Sequence, residues 1–243
     1  MKAIDAGHKV ASREEWLEAR KAYLAKEKAF SRERDELSRQ RRELPWVRIE
    51  EPYVFDGPDG KESLADLFGK KSQLITYHFM FAPDWEEGCP YCSFLVDHID
   101  GALPHLAQRD VALLAVSRAP LPKIEALKKR MGWGFKWVSS YGSDFNYDFH
   151  VSFTKDEMAT GKVYYNYDTI DFQSVGGTSE LFGISVFYKD KTGDIYHTYS
   201  TYGRGGDMLL GTYHWIDLTP KGRNETGPRH NLTDWVTYHD RYE

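Results

Sequence analysis

Residues 74–81 and 111–116 restrict the fold more than any other part of this chain. The second, Val111-Ala112-Leu113-Leu114-Ala115-Val116, is apolar throughout, the mark of a strand covered on both faces. The first, Leu74-Ile75-Thr76-Tyr77-His78-Phe79-Met80-Phe81, is nearly so. A stretch of helical spacing, from Ser93 to about Leu106, lies between them. A second helix, Pro122 to Met131 with Ile124 and Leu127 inward, leads to another strand, Phe135-Lys136-Trp137-Val138. The order strand, helix, strand, helix, strand predicts an α/β protein with a mainly parallel sheet and right-handed crossovers.

The chain has two cysteines, and both sit where the first strand hands over to its helix: Glu87-Gly88-Cys89-Pro90-Tyr91-Cys92. Positions i and i+3 of a helix share a face, so the two thiols can come close enough for a disulfide. Cys89 falls in the first turn, where unpaired backbone N–H groups and the helix dipole favour the nucleophilic thiolate. Cys92 aligns with Leu95, Val96, Ile99 and Leu103, a stripe that should face the core. Cys89 therefore reads as an exposed attacking thiol and Cys92 as a shielded resolving one. Pro90 suits the first helical position, where its missing N–H is no loss. Asp84, Glu86 and Glu87 oppose the thiolate, and the sequence does not say which effect wins. Two structural cysteines are the competing reading. A metal is not expected, because His98 lies about half a turn out of phase and ~13 Å along the helix from Cys89. A zinc site would also need ligands from elsewhere.

The net charge of −5 over 243 residues argues against a partner bound mainly through phosphates. No apolar run approaches the ~20 residues of a membrane span. The start, Met1-Lys2-Ala3-Ile4-Asp5-Ala6-Gly7-His8, has no apolar signal region. The expectation is a cytoplasmic protein with no membrane partner, and in that compartment paired thiols are usually catalytic or redox-sensing. Asn224-Glu225-Thr226 and Asn231-Leu232-Thr233 match a glycosylation pattern, read as chance without a secretion signal.

Ahead of the sheet, residues 12–44 form a charged helix opened by a Ser12/Glu15 capping box. Trp16, Tyr23, Phe30 and Leu37 recur every seven residues as a narrow apolar stripe. That stripe is expected to lie across the domain or against a second copy, giving a homodimer through the N-terminal helix. Residues 143–150 alternate polar and aromatic side chains, as an edge strand facing a cleft or a solvated face would. Residues 169–180 read as a polar loop, 181–188 and 195–199 as an antiparallel pair, and 207–216 as a last helix. The predicted division is a helical extension, 1–45, a core domain, 46–218, and an irregular tail, 219–243.

Several runs carry a family likeness. Tyr77-His78-Phe79-Met80-Phe81, Gly88-Cys89-Pro90-Tyr91-Cys92-Ser93-Phe94, Ala115-Val116-Ser117-Arg118-Ala119-Pro120, residues 142–148 and residues 198–205 resemble a bacterial family of thioredoxin-like proteins of unknown function. The resemblance spans nearly the whole chain. It implies a thioredoxin-like mixed sheet flanked by helices, with a long N-terminal helical extension, and implies no established substrate. Cys89-Pro90 also resembles the reactive Cys-Pro step of peroxiredoxins, although Glu86 stands where they place threonine or serine. Residues 180–184 hold no proline where thioredoxins place one. Thioredoxins bury a carboxylate in the strand before the cysteines. In this strand His78 is the titratable group besides Tyr77; it reads as a satisfied core histidine, with a proton relay to Cys92 as the alternative.

Two readings follow. In the first, a thiol oxidoreductase without a cofactor, Cys89 attacks a small disulfide or peroxide and Cys92 resolves the product. Pro90 and Tyr91 shape access, Ser117 and Arg118 either steady an anionic group or are ordinary surface loop residues, and a reductant protein restores the thiols. In the second, a non-catalytic binding protein, the aromatic fraction of 15% lines a pocket for a small planar or sugar-like ligand. Asn146, Tyr147, Tyr199, Tyr202 and Arg204 are its candidates.

Overall fold

The computed structural model describes residues 8–223 and 235–243, so both Asn-x-Thr sites and most of the first eight residues lie outside the described residues. The chain divides into two units, Met1–Pro45 and Trp46–Glu243. The first is built on helix α1 (Arg13–Arg41). Ser12 Oγ accepts the Glu15 N–H at 3.1 Å, and the Glu15 carboxylate accepts the Ser12 N–H at 2.9 Å, satisfying donors that a helix start leaves unpaired. Ion pairs such as Lys21–Glu18 (2.9 Å) and Arg39–Glu36 (2.7 Å) run along its surface. Trp16, Tyr23, Phe30 and Leu37 stand exposed on it.

In the second unit, β1 (Val47–Arg48) and the hairpin of β2 (Val54–Gly57) and β3 (Gly60–Ser63) precede a short helix, α2 (Leu64–Leu67), and then β4 (Gln73–His78). The cysteine segment follows as α3 (Pro90–Val96) and α4 (Ile99–Gln108), then β5 (Val111–Ser117), α5 (Leu121–Met131) and β6 (Trp137–Ser139). The strands β4, β5 and β6 pair in parallel, with Tyr77 opposite Ala115 and Ala115 opposite Trp137. Next come α6 (Phe145–Asp148), α7 (Lys155–Ala159) and a two-stranded hairpin of β7 (Lys162–Tyr165) and β8 (Asp168–Asp171). Strands β9 (Gly183–Lys189) and β10 (Ile195–Tyr202) complete the sheet before α8 (Gly211–Ile216). The sheet order is β1-β10-β9-β4-β5-β6-β2-β3. Its middle, β10-β9-β4-β5, has β4 and β5 parallel, β9 and β10 antiparallel to their neighbours, and a helix opening just after β4. That is the thioredoxin-like arrangement.

The pleat of β4 divides the interior. Tyr77 joins Phe79, Trp137 and the helical residues Cys92, Leu95, Val96 and Ile124 on one face. Leu74 joins Phe55, Leu114, Phe145 and Phe187 on the other. A smaller cluster of Val151, Phe153, Val163, Tyr165, Phe172 and Tyr202 packs beneath the β7–β8 hairpin.

Four expectations are corrected. Residues 143–150 contain helix α6, not a strand: Phe145 and Phe149, four apart, both bury on one face, and the polar–aromatic alternation was accidental. Residues 169–180 are not a plain loop. They hold β8 and a 3-10 turn, Phe172–Val175, and the hairpin turns at Asn166 and Tyr167 with φ of 53° and 66°. The cysteine helix is two helices, the first ending at Asp97 and the second opening at His98. Residues 207–216 are a 3-10 segment, Gly203–Leu209, followed by α8. In addition, the described end of the tail packs on the second unit, with Val236 and Tyr238 buried. Among the described residues no helix is long and apolar enough to cross a membrane.

Candidate functional site

Cys89 is the N-cap of α3, and Pro90 takes the first helical position. The Cys89 backbone N–H donates to Met80 O at 2.9 Å, which ties the cysteine to the end of β4. Gly88 makes this turn feasible. A Cβ there would come within 2.6 Å of the Phe79 ring, so the chain passes the ring only without a side chain.

The two thiols are free and in hydrogen-bond contact, and their environments push them apart. The Cys92 S–H donates to Cys89 Sγ, and this is the largest influence holding the Cys89 thiol below its ordinary value. The N–H groups of Cys92 and Tyr91 add to it, against the effect of burial. Burial, then the neighbouring Cys89, pushes the Cys92 thiol well up. The Tyr77 hydroxyl and the Met80 N–H, 3.4 Å from Cys92 Sγ, pull the other way. Tyr77 is itself buried and its phenol is pushed well up, first by burial and then by Cys92.

Of the three carboxylates that oppose the thiolate, Glu87 is answered by cations from afar. Glu87 accepts from Arg241 and from Arg130 Nη1, the latter at 2.8 Å, and both hold it below the usual carboxylate range. Arg130 also forks onto Asp240 at 2.7 and 2.9 Å. The Tyr238 hydroxyl donates to Gly88 O, and Arg130 and Arg241 lie 4.8 and 5.1 Å from its ring centre. The end of the tail thus straps the loop that carries Cys89.

Cys89 is only 7% exposed, which corrects its reading as an openly exposed attacker. Access runs through a pocket of about 430 Å³ lined by Cys89, Cys92, Tyr77, Tyr91 and apolar side chains from several loops.

The other candidates scatter. His78 is a buried core residue that points away from the sulfurs, and the alternative of a relay to Cys92 is set aside by the alternation of β4: Tyr77, its neighbour, faces Cys92. His78 stacks on Phe145 and Phe149 and lies 2.9 Å from Ser185 Oγ, with its ring held neutral by burial. Ser117 is buried, donates to Phe79 O at 2.7 Å and accepts from Trp137 Nε1 at 3.0 Å. Arg118 pairs with Glu180 at 2.7 Å and lies 4.4 Å from the Tyr147 ring centre. Neither Ser117 nor Arg118 lines the cysteine pocket, so neither steadies an anion there. Asn146 is buried and accepts from Ser140 Oγ at 2.8 Å. Tyr202 donates to Phe149 O at 3.1 Å, and Tyr199 is half-buried in β10. Of the five proposed ligand contacts, Arg204 alone lines the cysteine pocket.

Sequence reasoning missed Tyr77, Glu180 and the tail. Glu180 is 1% exposed and accepts from Ser152 Oγ at 2.6 Å as well as from Arg118. Burial raises its carboxyl to about 7 despite those partners. Strand alternation does separate Tyr77 from His78 in the sequence; nothing there says which of them meets the helix.

The match by family covers residues 5–242 and is described as "Bacterial protein of unknown function (DUF899)". No curated protein matches. Among solved structures, peroxidoxin BcpB of Mycobacterium tuberculosis is 11% identical, with 71% of this chain and 97% of that chain covered at a TM-score of 0.47. Peroxiredoxin Q of Xanthomonas campestris is 12% identical, with 70% and 95% covered and a TM-score of 0.46. The reduced 2-Cys peroxiredoxin of Plasmodium vivax is 18% identical, with 72% and 93% covered and a TM-score of 0.39. These likenesses say nothing of chemistry. With a thioredoxin-like sheet, a Cys-x-x-Cys turn at the end of β4 and a match from residue 5 to residue 242, the chain belongs to the bacterial family of unknown function DUF899.

Proposed function

We propose that the protein is a thiol–disulfide oxidoreductase. The observation that carries the reading is the division of labour between two touching thiols in the wall of one pocket, one held toward the thiolate and the other held protonated. The Cys89 thiolate attacks one sulfur of a disulfide, forms a mixed disulfide and releases the other half as a thiolate. Cys92 then gives its proton to the released thiolate and attacks Cys89 Sγ, which expels the second half and leaves the Cys89–Cys92 disulfide. An external dithiol takes up that disulfide and returns two electrons. Disulfide exchange is favoured over peroxide reduction because Arg118 is engaged by Glu180 and does not line the pocket, and Arg204, which does, is paired with Asp207.

The test is the pH dependence of alkylation. Iodoacetamide should modify Cys89 with an inflection below the ordinary thiol value of about 8.5, while Cys92 stays unreactive until Cys89 is blocked. Equal, slow labelling of both thiols near neutral pH would sink the proposal and favour a binding protein on the same scaffold.

Tyr77 should act on the second step. Removing its hydroxyl takes a hydrogen bond from the Cys92 thiolate, so Tyr77→Phe should lengthen the life of the mixed disulfide by about tenfold. Cys89 alkylation should not change. A mixed disulfide that resolves at the wild-type rate would remove Tyr77 from this role.

A further inference from the structure

We infer that the substrate of the cysteine pair is a small, uncharged disulfide with apolar arms. The inference rests on the redox reading above and deepens it. A pocket of about 430 Å³ suits a small molecule. Its walls around the sulfurs are Met80 and Tyr91 beside the cysteines, Val175 of the 3-10 turn, Phe182 ahead of β9, and Leu210 before α8. None of these side chains carries a charge. Arg204 and Asp207 also line the pocket, and they answer each other at 2.6 Å, with Arg223 3.8 Å from Asp207. A charged group on the substrate would leave water beside apolar walls without a partner there. An apolar arm loses nothing by the same transfer and gains about fourfold in binding for each methylene buried.

The atoms balance with such a substrate. For R–S–S–R, attack by the Cys89 thiolate breaks the S–S bond, makes Cys89–S–S–R and releases RS⁻. The first RS⁻ takes the Cys92 proton and leaves as RSH, and attack by the resulting Cys92 thiolate on Cys89 Sγ releases the second RS⁻. The disulfide is reduced by two electrons and the cysteine pair is oxidised by two, to be restored by a soluble dithiol. Each released thiol carries one apolar arm out of the pocket, and the two departures are separate events.

The experiment uses the full chain, reduced with dithiothreitol and freed of it. Oxidation of the pair is timed with diethyl, dipropyl and dibutyl disulfide and with oxidised glutathione. Each rate constant is divided by that of N-acetylcysteine thiolate with the same disulfide, which removes intrinsic reactivity. The normalised rate should rise by about fourfold per methylene buried until the pocket is full. Dibutyl disulfide should exceed oxidised glutathione by more than about tenfold, as a buried unpaired charge demands. Val175→Glu, which sets a carboxylate in the wall, should flatten the series; Val175→Thr, close to valine in shape, carries this arm if the glutamate variant does not fold. A flat series, or oxidised glutathione as fast as dibutyl disulfide, overturns the inference and leaves the redox reading standing. If no disulfide oxidises the pair faster than free N-acetylcysteine reacts, the redox reading fails as well.

Discussion

Cys89→Ser is expected to lose the reduction of a small disulfide by at least about 10³-fold, the scale on which removal of a nucleophile leaves binding alone. Serine fills the same space, but its hydroxyl does not ionise near neutral pH, so the N–H groups of Tyr91 and Cys92 have no thiolate to hold. Cys92→Ser should behave differently. The first attack still occurs, the resolving sulfur is missing, and a one-to-one mixed disulfide on Cys89 accumulates. Mass spectrometry of the intact chain reads both outcomes, since the trapped species carries half of the disulfide offered. Wild-type turnover in both variants would show that these cysteines are structural.

The second large effect lies at Glu180. Its carboxyl titrates at about 7, against 4.5 in an unfolded chain, because burial disfavours the charge. The folded state therefore binds a proton that the unfolded state has released between those values, and stability falls as pH rises through the window. The stabilisation is fully present below about pH 4.5, and its loss by pH 8 amounts to about 3 kcal/mol. His78 works in the opposite sense. Its ring titrates at about 3, depressed by burial and then by His197, so its contribution is lost as pH falls below 6.5. The measurable quantity is the difference between wild type and Glu180→Gln in urea unfolding at pH 5 and pH 8. The variant should lack the decline that Glu180 causes. Arg118→Met should be destabilised by about 3–5 kcal/mol at pH 8, where the carboxylate loses its partner, and by less at pH 5, where the acid is neutral. Equal loss at both values would mean that Arg118 acts through packing on Tyr147 rather than through the charge of Glu180.

The order of the central elements was legible because burial on both faces leaves an imprint on neighbouring residues. A strand such as β5 must be apolar at every position, and a helix beside it apolar at every third or fourth. The cysteine turn was legible for the same reason: the change of period from strand to helix falls at Cys89. Short segments were not, since Phe145, Tyr147 and Phe149 fit a period of two and Phe145 with Phe149 fits a helical turn. Only packing against Phe187 and His78 chose the helix.

By itself the sequence determined that a parallel core would form and that two thiols would stand one turn apart at its edge, because those outcomes depend on residues close along the chain. The tertiary structure alone decided what surrounds the sulfurs. It set Tyr77 rather than His78 against Cys92, joined Arg118 to Glu180 across 62 residues, and brought Tyr238 over 150 residues to Gly88. Such contacts depend on how the sheet folds the chain back on itself, and no local pattern records that.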